Sequence, residues 1–340
     1  MQPSIDPTRD VPEEVLWPAE RDFAFSELSA LQSLRSAWEF SRQRIHQLRN
    51  SVRASPLPEP VAGLAVSGSL SRMEAHADSD LDLLIVIDDR QRQLSEHELG
   101  QIYSDTWQRL QQAVRSSELH PPRPGGVFSQ CVSWAALTDP SVRGIVNEEP
   151  VFFGQRMQLL LDAQPLCNNT AFHEIQQDIL NWYQETRVAC LFSEAGPFHW
   201  LWQDVQRYWR SIRSRACWLH HDEPTKSLEV NLKLRSSRLV LIAAFLLSLM
   251  TAQAGKETTD TIIADLQNQL RRTPLERLAD LARDPNERHQ LLSSYQQLWE
   301  RVRSGPDRAS APTDTDLQSM AHIRDYVCRR CAAQSSDWVC

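Results

Sequence analysis

The sequence lacks the features that mark several large classes of protein. No apolar run reaches the roughly 20 residues that cross a bilayer, and the longest, residues 239–250, is typical of a buried helix. The N-terminal segment has neither a basic region nor an apolar stretch, so we expect no secretory signal. The seven cysteines are scattered and odd in number, which is typical of reduced thiols. We therefore expect a soluble cytoplasmic protein with no membrane partner.

Positive charge is also scarce. The 340 residues include 36 Lys and Arg against 44 Asp and Glu, a net charge of −8, which argues against a protein that coats nucleic acid through bulk charge. The glycine patterns of Walker A loops and dinucleotide-binding folds are missing, as is the Gly-x-Ser-x-Gly turn of many hydrolases. With 41% hydrophobic and 24% charged residues, the chain is nevertheless typical of a globular protein with ample buried core.

Hydrophobic periodicity divides the chain into a mixed part and a helical part. The first part predicts a mixture of helices and β-strands: helices at about 25–52 and 94–117, and strands at 61–67, 81–87 and 127–134. Beyond about residue 165 every predicted segment is a helix: 171–195, 198–220, 228–252, 258–283, 286–304 and 316–330. We therefore predict an α+β chain with four regions: an N-terminal arm and helix (1–55), a small mixed-sheet domain (56–165), a larger α-helical domain (166–304), and a linker with a C-terminal helix (305–340).

The most informative stretch is GSLSRMEAHADSDLDLLIV, at residues 68–86. A predicted strand ends at Gly68 and Ser69, where the glycine lets the backbone approach a ligand and the serine adds a hydroxyl donor. Asp80 and Asp82 open the next strand, and residues two apart on a strand point to the same side. Two carboxylates beside a phosphate-sized loop suit Mg²⁺ bound together with a nucleoside triphosphate (NTP). The alternative interpretation is a hairpin turn with solvated acids.

This motif resembles the signature of the DNA polymerase beta-like nucleotidyltransferase superfamily, a Gly-Ser pair followed by Asp-x-Asp. It is most similar to the N-terminal domain of the PII uridylyltransferases and of uncharacterised bacterial relatives, in which Gly-x-x-Gly-Arg-x-Glu precedes Ser-Asp-x-Asp. The residues that match are Gly68, Ser69, Arg72, Glu74, Ser79, Asp80 and Asp82. Ser71 stands where that pattern has its second glycine.

The resemblance implies a function and a set of site residues. A polymerase-beta-like domain would transfer a nucleoside monophosphate from an NTP to an acceptor and release pyrophosphate. Asp80 and Asp82 would be catalytic and hold Mg²⁺, or Mn²⁺ in its place. The nucleotide-binding residues of the loop would be Gly68, Ser69, Arg72 and Ser79. We expect the acceptor to be a protein hydroxyl or a small molecule, since the net charge disfavours nucleic acid.

One departure from the superfamily pattern leaves two other functions open. The superfamily usually supplies a third carboxylate from a later strand, and the strand predicted at 127–134 contains no acid. The neighbouring acids are Glu118, Asp139 and Glu148. A nucleotide-binding regulatory or interaction protein with little turnover is therefore one alternative, and a toxin-type or antiphage transferase acting on RNA is another.

A basic segment follows in the helical part. Residues 200–240 contain eight Lys and Arg against four Asp and Glu. Arg235 and Arg238 are three apart, so a continuous helix would place them on one face. We predict that Lys233, Arg235 and Arg238 bind the triphosphate of the nucleotide or, alternatively, an anionic acceptor. The alternative is a solvated basic face with structural ion pairs.

A weaker pattern lies near the C-terminus. Cys328 and Cys331 form a Cys-x-x-Cys pair, with His322 before it and Cys340 after it. This spacing fits no common zinc module, so we interpret these cysteines as ordinary thiols.

Overall fold

The computed structural model describes residues 16–54, 56–116, 119–121, 126–143, 148–184, 197–219, 222–254, 258–304 and 312–334. Within these ranges the strands form one four-stranded sheet: β1 (Val61–Ser67), β2 (Asp82–Ile87), β3 (Val132–Ser133) and β4 (Gln164–Cys167). The strand order is β3-β2-β1-β4. β1 is antiparallel to β2 and β4, whereas β2 is parallel to β3. The sheet is therefore mixed, as predicted.

Helices surround the sheet and make up nearly all of the C-terminal half. Those of the first half are α1 (Gln32–Ala54), α2 (Gly68–Ser71), α3 (Glu96–Ser116), α4 (Trp134–Leu137), α5 (Pro150–Leu161) and α6 (Asn169–Gln184). Those of the second half are α7 (His199–Leu219), α8 (Pro224–Arg235), α9 (Ser237–Gln253), α10 (Thr259–Leu270), α11 (Pro274–Ala279), α12 (Pro285–Arg303) and α13 (Asp314–Gln334). The predicted α+β fold class is confirmed.

The two faces of the sheet pack against different sets of helices. Side chains alternate along each strand, so Val66 and Ile85 join one apolar cluster with α1, α12 and α13. Ala65 and Leu84 join the other cluster, with α5, α6, α7 and α10. Helix α9 is apolar on all sides, as a central helix must be, and it contributes to both clusters. Both clusters combine residues from before and after residue 165. The predicted domain boundaries stay predictions.

Several elements differ from their predicted bounds for local reasons. The strand predicted at 127–134 is only two residues long, and β4 was not predicted because it is short and contains Pro165. Helix α5 also went unpredicted. The helix predicted at 258–283 is divided by a capping box at Thr273, which starts α11. The end of the helix predicted at 171–195 lies outside the described residues.

The run from Lys226 to Gln253, across α8 and α9, is long and apolar enough to cross a membrane by length and composition alone. However, 67% of its most apolar window is buried inside the protein. Burial of this kind is what the core helix of a folded domain requires. The absence of a membrane partner stays a prediction.

Candidate active site

The motif lies mostly in the loop of residues 68–81, which joins β1 to β2 at one end of the sheet. Ser67 ends β1 and pairs in register with Asp82, the first residue of β2. Ala65 and Leu84, two residues further along their strands, face the apolar cluster that contains α5 and α7. By alternation, the side chains of Ser67 and Asp82 point to that same side. The loop and the carboxylate are therefore next to α5, α7 and the start of α9.

Gly68 is the point at which the loop approaches the carboxylate. Its φ of +71° lies in the left-handed region, which side chains other than glycine rarely adopt. A Cβ atom at this position would lie 3.1 Å from Cγ of Asp82 and would overlap its Oδ2 atom. Backbone conformation and available space both require glycine here.

We expect Gly68→Ala to abolish most of the activity, because the added methyl group displaces Asp82 and forces the backbone into a strained conformation. The strain alone costs on the order of 1–3 kcal/mol. Gly100→Ala is the matched control, since Gly100 lies in α3 with open space around its Cα. That change should leave activity intact and raise the free energy of unfolding by about 0.5–1 kcal/mol. Equal activity of the two variants would exclude the role assigned to Gly68.

The two motif aspartates differ in their surroundings. Asp80 is exposed, whereas Asp82 is half-buried. Burial raises the pKa of Asp82 to about 7, with Asp162 and Asp80 adding to the rise and Arg238 and Arg72 opposing it. A half-buried carboxylate whose charge is incompletely compensated is suited to a cation. Within the described ranges no group of three or more His, Cys, Asp or Glu residues is arranged to hold a metal. Two carboxylates fit Mg²⁺ of the kind that completes its coordination with water and substrate phosphates.

The raised pKa of Asp82 predicts a pH-dependent stability in the metal-free protein. A carboxyl whose folded-state pKa exceeds its ordinary value contributes stability at low pH, and this contribution is lost as the pH rises through about 7. With a chelator present, Asp82→Asn should therefore raise Tm at pH 8, and the difference from wild type should shrink toward pH 5. Asp78→Asn, an exposed residue of the same loop, should show no such trend. A Tm difference that is independent of pH would contradict the prediction.

Arg72 stabilises the loop through buried ion pairs. Its guanidinium is buried between Glu74, at 3.1 Å, and Asp162, at 2.5 Å. Burial acts to lower the pKa of Arg72, but the two carboxylates outweigh this effect and raise it above the usual range. The side chain is thus occupied within the protein. Arg72 therefore stabilises the loop, and its role as a nucleotide-binding residue stays a prediction.

The predicted serines have different positions. Ser69 is half-buried, and its carbonyl oxygen accepts from the Glu74 N–H at 2.8 Å, which closes the loop. Ser79 is buried, and its hydroxyl accepts a hydrogen bond from the His76 N–H at 3.0 Å. Ser69 is therefore the serine available to a ligand, whereas Ser79 shapes the loop. Their roles as nucleotide-binding residues stay predictions.

The structure separates the three predicted basic residues. A turn at Ser236, with φ −120° and ψ −99°, divides the helix predicted at 228–252 into α8 and α9. The prediction that Arg235 and Arg238 share a helical face is therefore wrong: Arg235 is exposed, whereas Arg238 is half-buried and acts on the charge of Asp82. Lys233 pairs with Glu229 at 2.6 Å and lies near His76 of the loop. Arg238 alone of the three is beside the carboxylates.

Sequence reasoning missed one buried acid beneath the site. Asp162, at the end of α5, accepts hydrogen bonds from Arg72 and from the Ser67 hydroxyl, the latter at 2.6 Å. It is close enough to Asp82 to influence its pKa. Both of its oxygens accept hydrogen bonds from the protein. Asp162 therefore stabilises the loop by holding Ser67 and Arg72 in place. No pattern in the sequence distinguishes this acid from a solvated one, because its partners are 90 and 95 residues away in the chain.

The acids named as substitutes for the third carboxylate are occupied elsewhere or not described. Glu148 pairs with Arg156 and Arg207. Asp139 caps a turn by accepting from the Ser141 N–H at 2.8 Å. Glu118 lies outside the described residues, as does Cys340 of the C-terminal cysteine pattern.

Comparison with known families agrees with the resemblance of the motif. Residues 45–116 match the family described as "Nucleotidyltransferase domain". This stretch contains the end of α1, β1, the loop, β2 and α3. It is a nucleotidyltransferase domain of the polymerase beta-like superfamily. A search of curated proteins finds no match for the chain. The closer likeness to PII uridylyltransferases stays a prediction.

Proposed function

We propose that this protein transfers a nucleoside monophosphate from an NTP to a hydroxyl of an acceptor and releases pyrophosphate. In this reaction the acceptor oxygen bonds to the α-phosphorus while the bond to the β-phosphate breaks. The hydroxyl proton is released to solvent. The observation that carries the proposal is the close approach of Gly68 to Asp82, with Arg238 acting on the same carboxylate.

Each of these residues has a role in the reaction. Gly68 and Ser69 would bring backbone and hydroxyl donors to the phosphates. Asp80 and Asp82 would hold Mg²⁺ or Mn²⁺, which neutralises charge on the phosphates and activates the attacking oxygen. Most of the rate enhancement would come from positioning and electrostatics, as in other phosphoryl transfers.

Arg238 supports the proposal independently of the motif. Its side chain is half-buried, and among the described residues it has no hydrogen bond or ion pair. A guanidinium in this position is stabilised by Asp82 in the free protein. Arginine binds phosphate through charge-assisted and bidentate hydrogen bonds. We therefore place the triphosphate between the loop and the start of α9.

A label-transfer assay tests this function. The protein is incubated with Mg²⁺ and each α-labelled NTP in turn, with and without a lysate of its source organism. Label on a protein, on a small molecule or on RNA would support the transferase and identify the acceptor class. No transfer with any of the four nucleotides, in the presence of lysate, would contradict it.

A second candidate function is nucleotide binding without turnover. Two observations favour it, and both concern the third carboxylate that the superfamily usually supplies. The segment before β3 contains Ser129, Gln130 and Cys131 but no carboxylate. Asp162 is already hydrogen-bonded to Ser67 and Arg72. Saturable Mg²⁺-dependent NTP binding in the absence of any transfer would favour this candidate.

A further inference from the structure

Helix α7 continues beyond the part of it that is packed inside the protein. Its buried residues, Leu201 and Val205, both lie in its first two turns. The last ten residues, 210–219, which we call the α7 tip, include no buried residue. Only Ile212 and Ala216 of the tip are half-buried, and the other eight residues are exposed. The α7 tip is therefore a surface open to another molecule.

The α7 tip exposes large apolar side chains. Trp218 is 80% exposed and Leu219, next to it, is 54% exposed. Among the described residues, Trp218 is the most exposed of the large hydrophobic side chains. Neighbouring apolar side chains in solvent are typical of interaction sites. Tryptophan is also one of the residues that contribute most to the binding energy of protein interfaces.

The α7 tip is also positively charged, although the whole chain has a net charge of −8. It contains Arg210, Arg213 and Arg215 and no acidic residue. Arg210 donates to the Gln206 side chain at 3.2 Å, and Arg213 lies 5.8 Å from the centre of the Trp209 ring. Within the described part of the chain, none of these three arginines forms an ion pair. The surface is therefore complementary to an acidic partner.

The helix that ends in the α7 tip also passes beside the active site. Tyr208, two residues before the tip, shares a hydrogen bond with the side-chain amide of Gln158. That amide lies 2.6 Å from the hydroxyl of Ser67, the residue before Gly68. At 1.5 Å per residue, Trp218 is about 15 Å along the helix from Tyr208. A partner that contacts both the tip and the phosphate loop has to span this distance, which a protein does and a small metabolite does not.

We propose that the α7 tip is the docking surface for a protein acceptor that presents acidic and apolar side chains. This inference rests on the proposed function, because it names the class of acceptor for that reaction. Arginine and tryptophan together, without lysine, are typical of protein interfaces. RNA fits this surface less well, because Glu223 and Glu229 of the adjoining α8 region interrupt the positive charge that a phosphate backbone would follow.

Trp218→Ala and Arg215→Glu test the inference, because both side chains are exposed and outside the core. The acceptor probe is RNase-treated soluble protein of the source organism at limiting concentration, with Mg²⁺ and α-labelled NTP. We expect label transfer to protein to fall about 10-fold or more in Trp218→Ala, as for a lost interface hot spot. Arg215→Glu should lose as much at low salt and less at high salt, since salt screens its charge.

The affinity of both variants for Mg²⁺ and a non-hydrolysable NTP analogue should equal that of wild type, because the α7 tip is remote from the phosphate loop. Arg283→Glu is the matched control for the change of charge. Arg283 is exposed in the turn between α11 and α12, whereas α7 contacts α5, α8 and α9. This variant should transfer label at the wild-type rate.

A wild-type rate of transfer in either Trp218→Ala or Arg215→Glu would overturn the inference. So would an equal loss of NTP affinity, since that result would mean that the tip only supports the active site. Label that appears only on RNA when RNase is omitted would also overturn it. If wild type transfers no label to any acceptor, the proposed function itself fails, and the inference with it.

Discussion

Asp80→Asn and Asp82→Asn should each reduce label transfer by at least about 10³-fold, because metal-held charge stabilisation contributes several kcal/mol to such reactions. Asparagine has the shape of aspartate but not its charge, so the fold should be retained. Because Asp82 is half-buried next to Gly68, we expect the larger loss of transfer in Asp82→Asn. Initial rates with saturating NTP and Mg²⁺ measure the effect.

The control for these variants is Asp78→Asn. Asp78 is exposed and lies two residues before Asp80 in the same loop, so its replacement changes the charge equally. It should transfer label at the wild-type rate. Wild-type rates in Asp82→Asn would show that the Asp-x-Asp pair is not the metal-binding site.

Arg72→Met should lower the free energy of unfolding by about 3–5 kcal/mol, the typical cost of breaking a buried ion pair from one side. The methionine leaves Glu74 and Asp162 buried without their cation. Because Asp162 and Glu74 also hold Ser67 and Tyr295, we expect the loop to lose its shape and activity to fall with stability. Denaturant unfolding and the transfer assay measure the two effects.

Arg92→Met is the comparison for this loss of stability. Arg92 pairs with Glu98 at 2.7 Å on the surface, where its side chain is 75% exposed. Exposed pairs contribute little to stability, so this variant should unfold almost as wild type does. A loss in Arg72→Met no larger than in Arg92→Met would contradict the structural role of the buried cluster.

The part of the site that is local in sequence could be predicted. The strand before Gly68, the loop and the strand that begins at Asp82 follow from apolar runs, a glycine and the alternation of side chains. The structure contains both strands, and it shows in addition that they pair with Ser67 opposite Asp82. The structure adds the positive φ of Gly68, which the sequence analysis did not specify.

The support of the loop could not be predicted, because its partners are distant in the chain. Asp162 is 90 residues from Arg72, and Tyr295 is 221 residues from Glu74. Contacts of this kind depend on how α5 and α12 pack, which hydrophobic periodicity does not specify. A buried tyrosine on a helix has the same pattern as a core residue, so Tyr295 gave no signal of its own.

The basic segment of residues 200–240 shows a second limit of prediction from the sequence. Spacing alone placed Arg235 and Arg238 together, but that argument assumes an unbroken helix. The turn at Ser236, whose hydroxyl donates to the Leu232 carbonyl oxygen at 2.7 Å, changes the direction of the chain between them. Serine can form such a bond within a continuous helix as well, so the sequence did not reveal the break.

The most direct test of the proposed reaction compares the same nucleotide labelled at its α- or γ-phosphate. Both are incubated with the protein, Mg²⁺ and the acceptor-containing lysate fraction, and pyrophosphate is measured in parallel. Transfer of a nucleoside monophosphate predicts label in the product from the α-labelled nucleotide only, with one pyrophosphate released for each label transferred. Transfer of the γ-label would show a kinase reaction and contradict the assignment, as would the absence of transfer from both.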